Sequence, residues 1–190
     1  MERNLLWSRF KEGDSTAFET IYSSYVDDLL IYGSRFTKDS TLVEDSIHDL
    51  FVRIYERREH LNTPQSIKAY LYSSLRREIL HRADRREMPQ DEIQESHFQL
   101  DIDVEQAIIS SELNKEQLSL IQETLAVLSD RQREVIYLSF YNNLSHDEIA
   151  QVLGINNQSV RNLLSQGLKR MREGTELPVA VIALLLPKLF

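Results

Sequence analysis

Eight polar side chains near the C-terminal end of the chain carry its clearest chemistry. Gln158, Ser159, Arg161, Asn162, Ser165, Gln166, Lys169 and Arg170 alternate with Val160, Leu163, Leu164, Gly167, Leu168 and Met171. This three-four spacing places the two sets on opposite faces of one helix. Amides and hydroxyls near the start of that helix match hydrogen-bonding groups on base edges, and the cations further along suit phosphates. The chemistry is recognition rather than bond-making. The competing reading is an ordinary amphipathic helix with a solvated face.

The preceding elements favour recognition. Ser129-Asp130-Arg131-Gln132 forms a Ser-x-x-Gln capping box that opens a helix with Val135, Ile136 and Phe140 inside. Asn142-Asn143 interrupts that helix, and Ser145 starts another, with Glu148 closing a second box and Ile149, Ala150 and Leu153 facing inward. Gly154 suits a left-handed turn, and Asn156-Asn157 caps the third helix. Ser129 to Arg172 therefore reads as a helix-turn-helix.

A second cluster combines cations at Lys68, Arg76, Arg77, Arg82, Arg85 and Arg86 with Tyr70, Tyr72 and His81. Arginine holds phosphate while an aromatic face stacks on an unpaired base, so this mixture suits single-stranded nucleic acid. A solvated basic helix with its tyrosines in the core fits the same residues. Asp45 and Asp49 share a face beside His48 and could pair with cations on a partner, although exposed acids commonly serve only solvation. His48-Asp49 and His146-Asp147 resemble pairs in helical metal-dependent phosphohydrolases. No histidine precedes His48 to complete a metal set, however, and Asp147 already has a place in the first turn of a helix. No catalytic residue, metal or cofactor is expected.

Composition sets the frame. The 190 residues include five glycines, four prolines and no cysteine, which points to an all-α protein without disulfides or thiolate metal sites. The net charge of −8 is unusual for a DNA binder, but it is concentrated. Residues 1–86 hold 14 basic and 14 acidic residues, residues 87–130 hold 1 and 11, and residues 131–190 hold 7 and 5. Both flanks can therefore present basic faces, although weak DNA binding by the free chain is expected.

Apolar periodicity predicts core helices over about 14–37, with Tyr22 among its core positions, 40–58, with Leu50 and Tyr55 on the buried side, and 66–86, forming a first domain of three helices at 1–86. Residues 87–110 read as an acidic linker, and 111–174 as a four-helix domain containing the helix-turn-helix. The apolar tail, 175–190, contains Pro178 and Pro187 and falls below the roughly twenty apolar residues needed to cross a bilayer. It reads as packed onto its own domains or docked to a partner. Neither a signal peptide nor a transmembrane segment is expected, so the location reads as cytoplasmic.

The order of these parts resembles that of bacterial extracytoplasmic-function sigma factors, particularly the group expanded in the Bacteroidetes. Gly13-Asp14-Ser15-Thr16-Ala17-Phe18 is similar to the family's opening segment, and Val43 through Tyr55 to its polymerase-binding helix. Tyr70 through Arg86 resembles the segment that melts and reads the minus-10 element, and Ser129–Arg172 the domain that reads the minus-35 element. The resemblance implies that Asp45, His48, Asp49, Leu50 and Arg53 bind core polymerase through its largest-subunit clamp helices. Tyr70, Tyr72, Arg76, Arg77, His81, Arg85 and Arg86 would hold the opened minus-10 strand, and the eight residues on the last helix the minus-35 duplex. His48, Tyr55, Tyr70 and Arg77 stand where many members have Gln, Trp, Trp and Asn.

The expected function is that of an alternative sigma factor with core RNA polymerase, promoter DNA and an anti-sigma factor as partners, and no small-molecule substrate. The alternative is a stand-alone helix-turn-helix regulator whose N-terminal helices dimerise or sense a ligand.

Overall fold

The computed structural model describes residues 2–87, 98–100 and 115–174, with side chains described at 5–82, 98–100 and 119–173. Every regular element among them is helical, and the chain divides into two units, Met1–Ile93 and Gln94–Phe190.

The first unit contains α1 (Glu2–Lys11), α2 (Ser15–Gly33), α3 (Ser40–Glu56), a 3₁₀ turn (Arg58–His60) and α4 (Ile67–Glu87). Asp14 starts α2 by accepting hydrogen bonds from the Thr16 and Ala17 backbone N–H groups at 2.9 and 3.2 Å. Arg9 of α1 donates to the same carboxylate at 2.9 Å, so one side chain both caps α2 and ties α1 to it. Asp39 caps α3 through the Leu42 N–H at 3.0 Å, and Ser66 accepts from Ala69 at 3.2 Å at the start of α4. The inner face of α3, from Leu42 and Val43 through Ile47 and Leu50 to Phe51 and Ile54, is buried, as are Ile21, Leu29 and Tyr32 of α2 and Leu71, Leu75 and Ile79 of α4. Burial of each large aliphatic side chain contributes about 1.5–3 kcal/mol.

Helix α1 adds a fourth helix to the three that periodicity predicts. Trp7 and Phe10 are buried, with Trp7 edge-on to Phe10 at 5.3 Å and to Tyr70 at 5.6 Å. Only a short apolar stripe precedes Gly13 and Asp14, too brief to establish a period. Tyr22 and Tyr55 depart from their expected core positions, being 42% and 45% exposed. Their rings lie against Phe51 and Phe18 at 4.8 and 5.1 Å while keeping an outer face in solvent.

The second unit contains α5 (Lys115–Ala126), α6 (Asp130–Ile136) continuing as a π turn (Tyr137–Tyr141), α7 (His146–Leu153) and α8 (Asn157–Gly174). Both expected capping boxes form, at Ser129–Gln132 and Ser145–Glu148. Gly154 ends α7 at φ 66° and ψ 33°, the left-handed conformation that glycine adopts without a Cβ clash. Helix α8 packs on α5, α6 and α7. At its crossing with α6, a Cβ on Gly167 would stand 2.9 Å from Ile136 Cδ1, so glycine permits the close approach.

Within the segment expected to be linker, Phe98 and Leu100 are buried in the second unit. Phe98 lies 5.5 Å from the Tyr137 ring, and its carbonyl accepts from Arg133 at 3.4 Å. The rest of that segment, the start of the helix expected from Ser111, and the apolar tail lie outside the described residues.

Candidate nucleic-acid interface

The exposed face of α8 is built from its capped end outward. Asn156 Oδ1 accepts from the Ser159 backbone N–H at 2.7 Å, fixing the first turn, and Asn157 Nδ2 donates to Asp147 Oδ1 at 2.5 Å, tying that turn to α7. Val160, Leu164, Gly167 and Met171 are buried, while Gln158, Arg161, Asn162, Ser165, Gln166, Lys169 and Arg170 are exposed and Ser159 is half-buried. The structure thus brings all eight sequence-derived residues onto one helix. Gln158 donates to Asn162 Oδ1 at 3.0 Å, Arg170 to Gln132 Oε1 at 3.0 Å, and Lys169 lies 3.8 Å from Glu173. Gln132 carries no pattern that marks it for this site. It is buried, and the oxygen that closes the capping box also holds Arg170 against α6.

On α4 the basic-aromatic cluster divides by face. Arg77 and His81 are exposed, and Tyr70 and Arg76 are half-buried. Burial pushes the Tyr70 hydroxyl pKa above its usual value, against the opposing influence of Arg53, Arg77 and a Ser74 hydrogen bond. Tyr72 must be corrected: it is 0% exposed, its ring 4.8 Å from Tyr32, so no face remains for a base. Lys68 lies 3.7 Å from Asp28 and 5.7 Å from the Tyr72 ring centroid. The Arg85 and Arg86 side chains lie outside the described residues.

The α3 face is also narrower than expected. Leu50 must be corrected, because it is 2% exposed on the inner face and unavailable to a partner. Asp45 and His48 are exposed. Asp49 and Arg53 are exposed as well, but they belong to an ionic ladder between α3 and α4: Arg53 donates to Glu78 at 3.0 Å, Arg82 to Glu78 at 2.8 Å, and Arg82 also to Asp49. Partial burial raises the Glu78 pKa, but the hydrogen bonds from Arg82 and Arg53 outweigh it and hold the carboxyl below its ordinary value. Beside His48, a groove of about 470 Å³ is lined by Phe18, Tyr22, Phe51, Val52, Tyr55 and Glu56. The exposed rings of Tyr22 and Tyr55, with Val52, carry this apolar lining to the surface.

Comparisons with known proteins bear on both units. A model of sigma-70 region 2 matches residues 21–87, and a model of sigma-70 region 4 matches residues 118–171. The RNA polymerase sigma-E factor of Streptomyces coelicolor is 27% identical over 164 residues, covering 85% of this chain and 87% of that one. The RNA polymerase sigma factor SigZ of Bacillus subtilis is 23% identical over 159 residues, covering 82% and 87%. Among solved structures, CnrH in complex with the cytosolic domain of CnrY matches with a TM-score of 0.60 at 19% identity, covering 90% of this chain and 94% of that chain. RpoE in complex with the anti-sigma factor NepR from Bartonella quintana gives 0.58 at 18%, covering 83% and 95%. These structures establish the shared fold.

Two helical units, one ending in a helix-turn-helix and both matched by sigma-70 regions, define a promoter-specificity factor of RNA polymerase. The chain belongs to the sigma-70 family, as a member of its extracytoplasmic-function group. It is an alternative sigma factor that binds core RNA polymerase and promoter DNA and directs transcription initiation, and catalysis belongs to the polymerase. Among the described residues, no helix is long and apolar enough to cross a membrane.

Proposed function

We propose a division of labour among three surfaces. The exposed face of α8 reads the minus-35 duplex, with Gln158, Ser159, Arg161, Asn162, Ser165 and Gln166 toward base edges and Lys169 and Arg170 toward phosphates. Tyr70, Arg76, Arg77 and His81 of α4 hold the opened minus-10 strand, with Arg85 and Arg86 extending the basic run. Asp45 and His48, with Asp49 and Arg53 at the ladder, dock on the polymerase clamp helices beside the Tyr22–Val52–Tyr55 groove. The domains carrying these roles are 1–86 and 111–174, joined by 87–110, whose Phe98–Leu100 stretch packs into the second unit, with 175–190 as tail. The protein works in the cytoplasm, where its polymerase is.

The observation that carries this reading is the alignment of two capping boxes and a left-handed Gly154 ahead of α8, whose polar face is exposed while its apolar face is buried. Such an arrangement suits insertion of a helix into a major groove. The docking assignment is supported by an apolar groove lined in part by exposed His48, one helical turn from exposed Asp45, a combination of hydrophobic area and charge that fits a protein partner. An anti-sigma factor that covers this same face would hold the protein inactive. RpoE, similar in fold, is known in complex with the anti-sigma factor NepR.

Asp45→Arg tests the docking face more cleanly than reversal of Asp49, which would also place a cation against Arg82. The variant is expected to bind purified core polymerase at least about tenfold more weakly at an unchanged melting temperature, a loss of about 1.4 kcal/mol. Equal binding by wild type and variant contradicts the assignment.

A further inference from the structure

We propose that Gln158 and Asn162 act as one hydrogen-bonded unit that reads an adenine in the minus-35 duplex. The inference rests on the assignment of α8 to that element and adds the base that this pair selects.

The two side chains stand one turn apart on the exposed face of α8, and Gln158 Nε2 donates to Asn162 Oδ1 at 3.0 Å. They occupy the first two turns, where a recognition helix meets base edges. That end is held in place by the Asn156 cap on Ser159 and by the bond from Asn157 to Asp147.

A side-chain amide offers one carbonyl acceptor and two N–H donors. Once one amide donates to the other, Gln158 retains its carbonyl oxygen and one N–H and Asn162 its NH₂ group, so the pair offers both an acceptor and donors. Exchanging oxygen and nitrogen in both groups reverses the internal bond but leaves the same outward complement.

Adenine presents a matching set in the major groove: the N6 amino group donates and N7 accepts. Guanine offers two acceptors there, cytosine a donor, and thymine an acceptor beside a methyl group, so adenine is the one base that satisfies both halves of the pair by itself. The internal bond holds both amides before DNA arrives, which lowers the ordering needed on binding. Arg161 and Lys169 lack an acceptor and cannot supply this complement.

The test uses holoenzyme reconstituted from core polymerase with wild type, Gln158→Ala, Asn162→Ala or the double variant, and a promoter pool randomised across the minus-35 segment. Wild type is expected to enrich adenine at one position where all three variants lose the preference, the other enriched positions remaining. At that position, 7-deazaadenine, which lacks the N7 acceptor, is expected to weaken wild-type binding by roughly 5- to 150-fold and to leave the double variant unaffected. The single variants should lose about as much as the double, because either change dissolves the unit. Retention of the adenine preference by the variants, or a uniform loss across all sequences, overturns the paired reader while leaving α8 as the minus-35 helix. Failure of the wild-type holoenzyme to enrich any base across the segment overturns the α8 assignment itself.

Discussion

Tyr70 and Tyr72 show how much hangs on which side of a helix a residue occupies. Residues two apart do not share a face, so the tyrosines separate: Tyr70 lies half-buried at the surface and Tyr72 is enclosed beside Tyr32. Residue type reveals that α4 carries aromatic and basic chemistry, but packing decides which aromatic ring is accessible. The same geometry removes Leu50 from the proposed docking face and retains exposed His48. Tyr72→Ala is expected to destabilise the protein by about 3–5 kcal/mol in urea denaturation, as removal of a large core ring does. Arg77→Ala should change stability by less than about 0.5 kcal/mol while weakening holoenzyme binding to single-stranded minus-10 DNA. A Tyr72→Ala protein of wild-type stability, impaired only toward DNA, would restore Tyr72 to the surface.

At the scale of elements, the helix-turn-helix was legible because its signals are local. Capping boxes, a turn glycine and an apolar stripe are each set by residues three or four apart, and all form as their spacing predicts. Helix α1 and the Phe98–Leu100 segment were not, since their apolar residues are few and acquire meaning only through distant partners such as Tyr70 and Tyr137. The α6–α8 crossing gives a direct test. Gly167→Ala places a methyl 2.9 Å from Ile136 Cδ1 and is expected to cost about 1–3 kcal/mol of stability. Adding Ile136→Val, which removes that Cδ1, should recover part of the loss in a thermal-melting cycle; full additivity of the two losses would place the strain elsewhere.

Acid should weaken the joints between α1 and α2 and between α3 and α4. Hydrogen bonds from Thr16, Arg9 and Ala17 lower the Asp14 pKa from 3.8 to about 2, and Glu78 lies below its ordinary 4.5. Both pKa values are depressed on folding, so the stability they contribute is present above the ordinary carboxylate range and lost as pH falls from that range through the lowered values. The melting temperature of the wild type should therefore fall more steeply between pH 5 and 2 than that of an Asp14→Asn/Glu78→Gln variant. Parallel profiles in calorimetry would show that these carboxylates do not link folding to protons.

For the whole molecule, the −8 net charge misleads until its position along the chain is considered, because the acidic excess is concentrated between residues 87 and 130. The two units flanking that stretch match two different sigma-70 regions, and the exposed cations proposed to meet DNA lie on separate helices, Arg77 on α4 and Arg161, Lys169 and Arg170 on α8. On the proposed assignment, a factor built this way gains specificity from reading two elements together. Family-level function was legible from the order of motifs. The groove of the proposed docking face needed the structure, because it joins α2 and α3 and includes two tyrosines, Tyr22 and Tyr55, whose periodicity assigns them to the core. The central claim is that this chain gives core polymerase its promoter choice. Its most direct test is to transcribe genomic DNA from the source organism with purified core enzyme, with and without the protein, and map the transcript 5′ ends. Discrete new start sites sharing two spaced upstream elements are predicted; a 5′-end pattern identical to that of core enzyme alone would contradict the account.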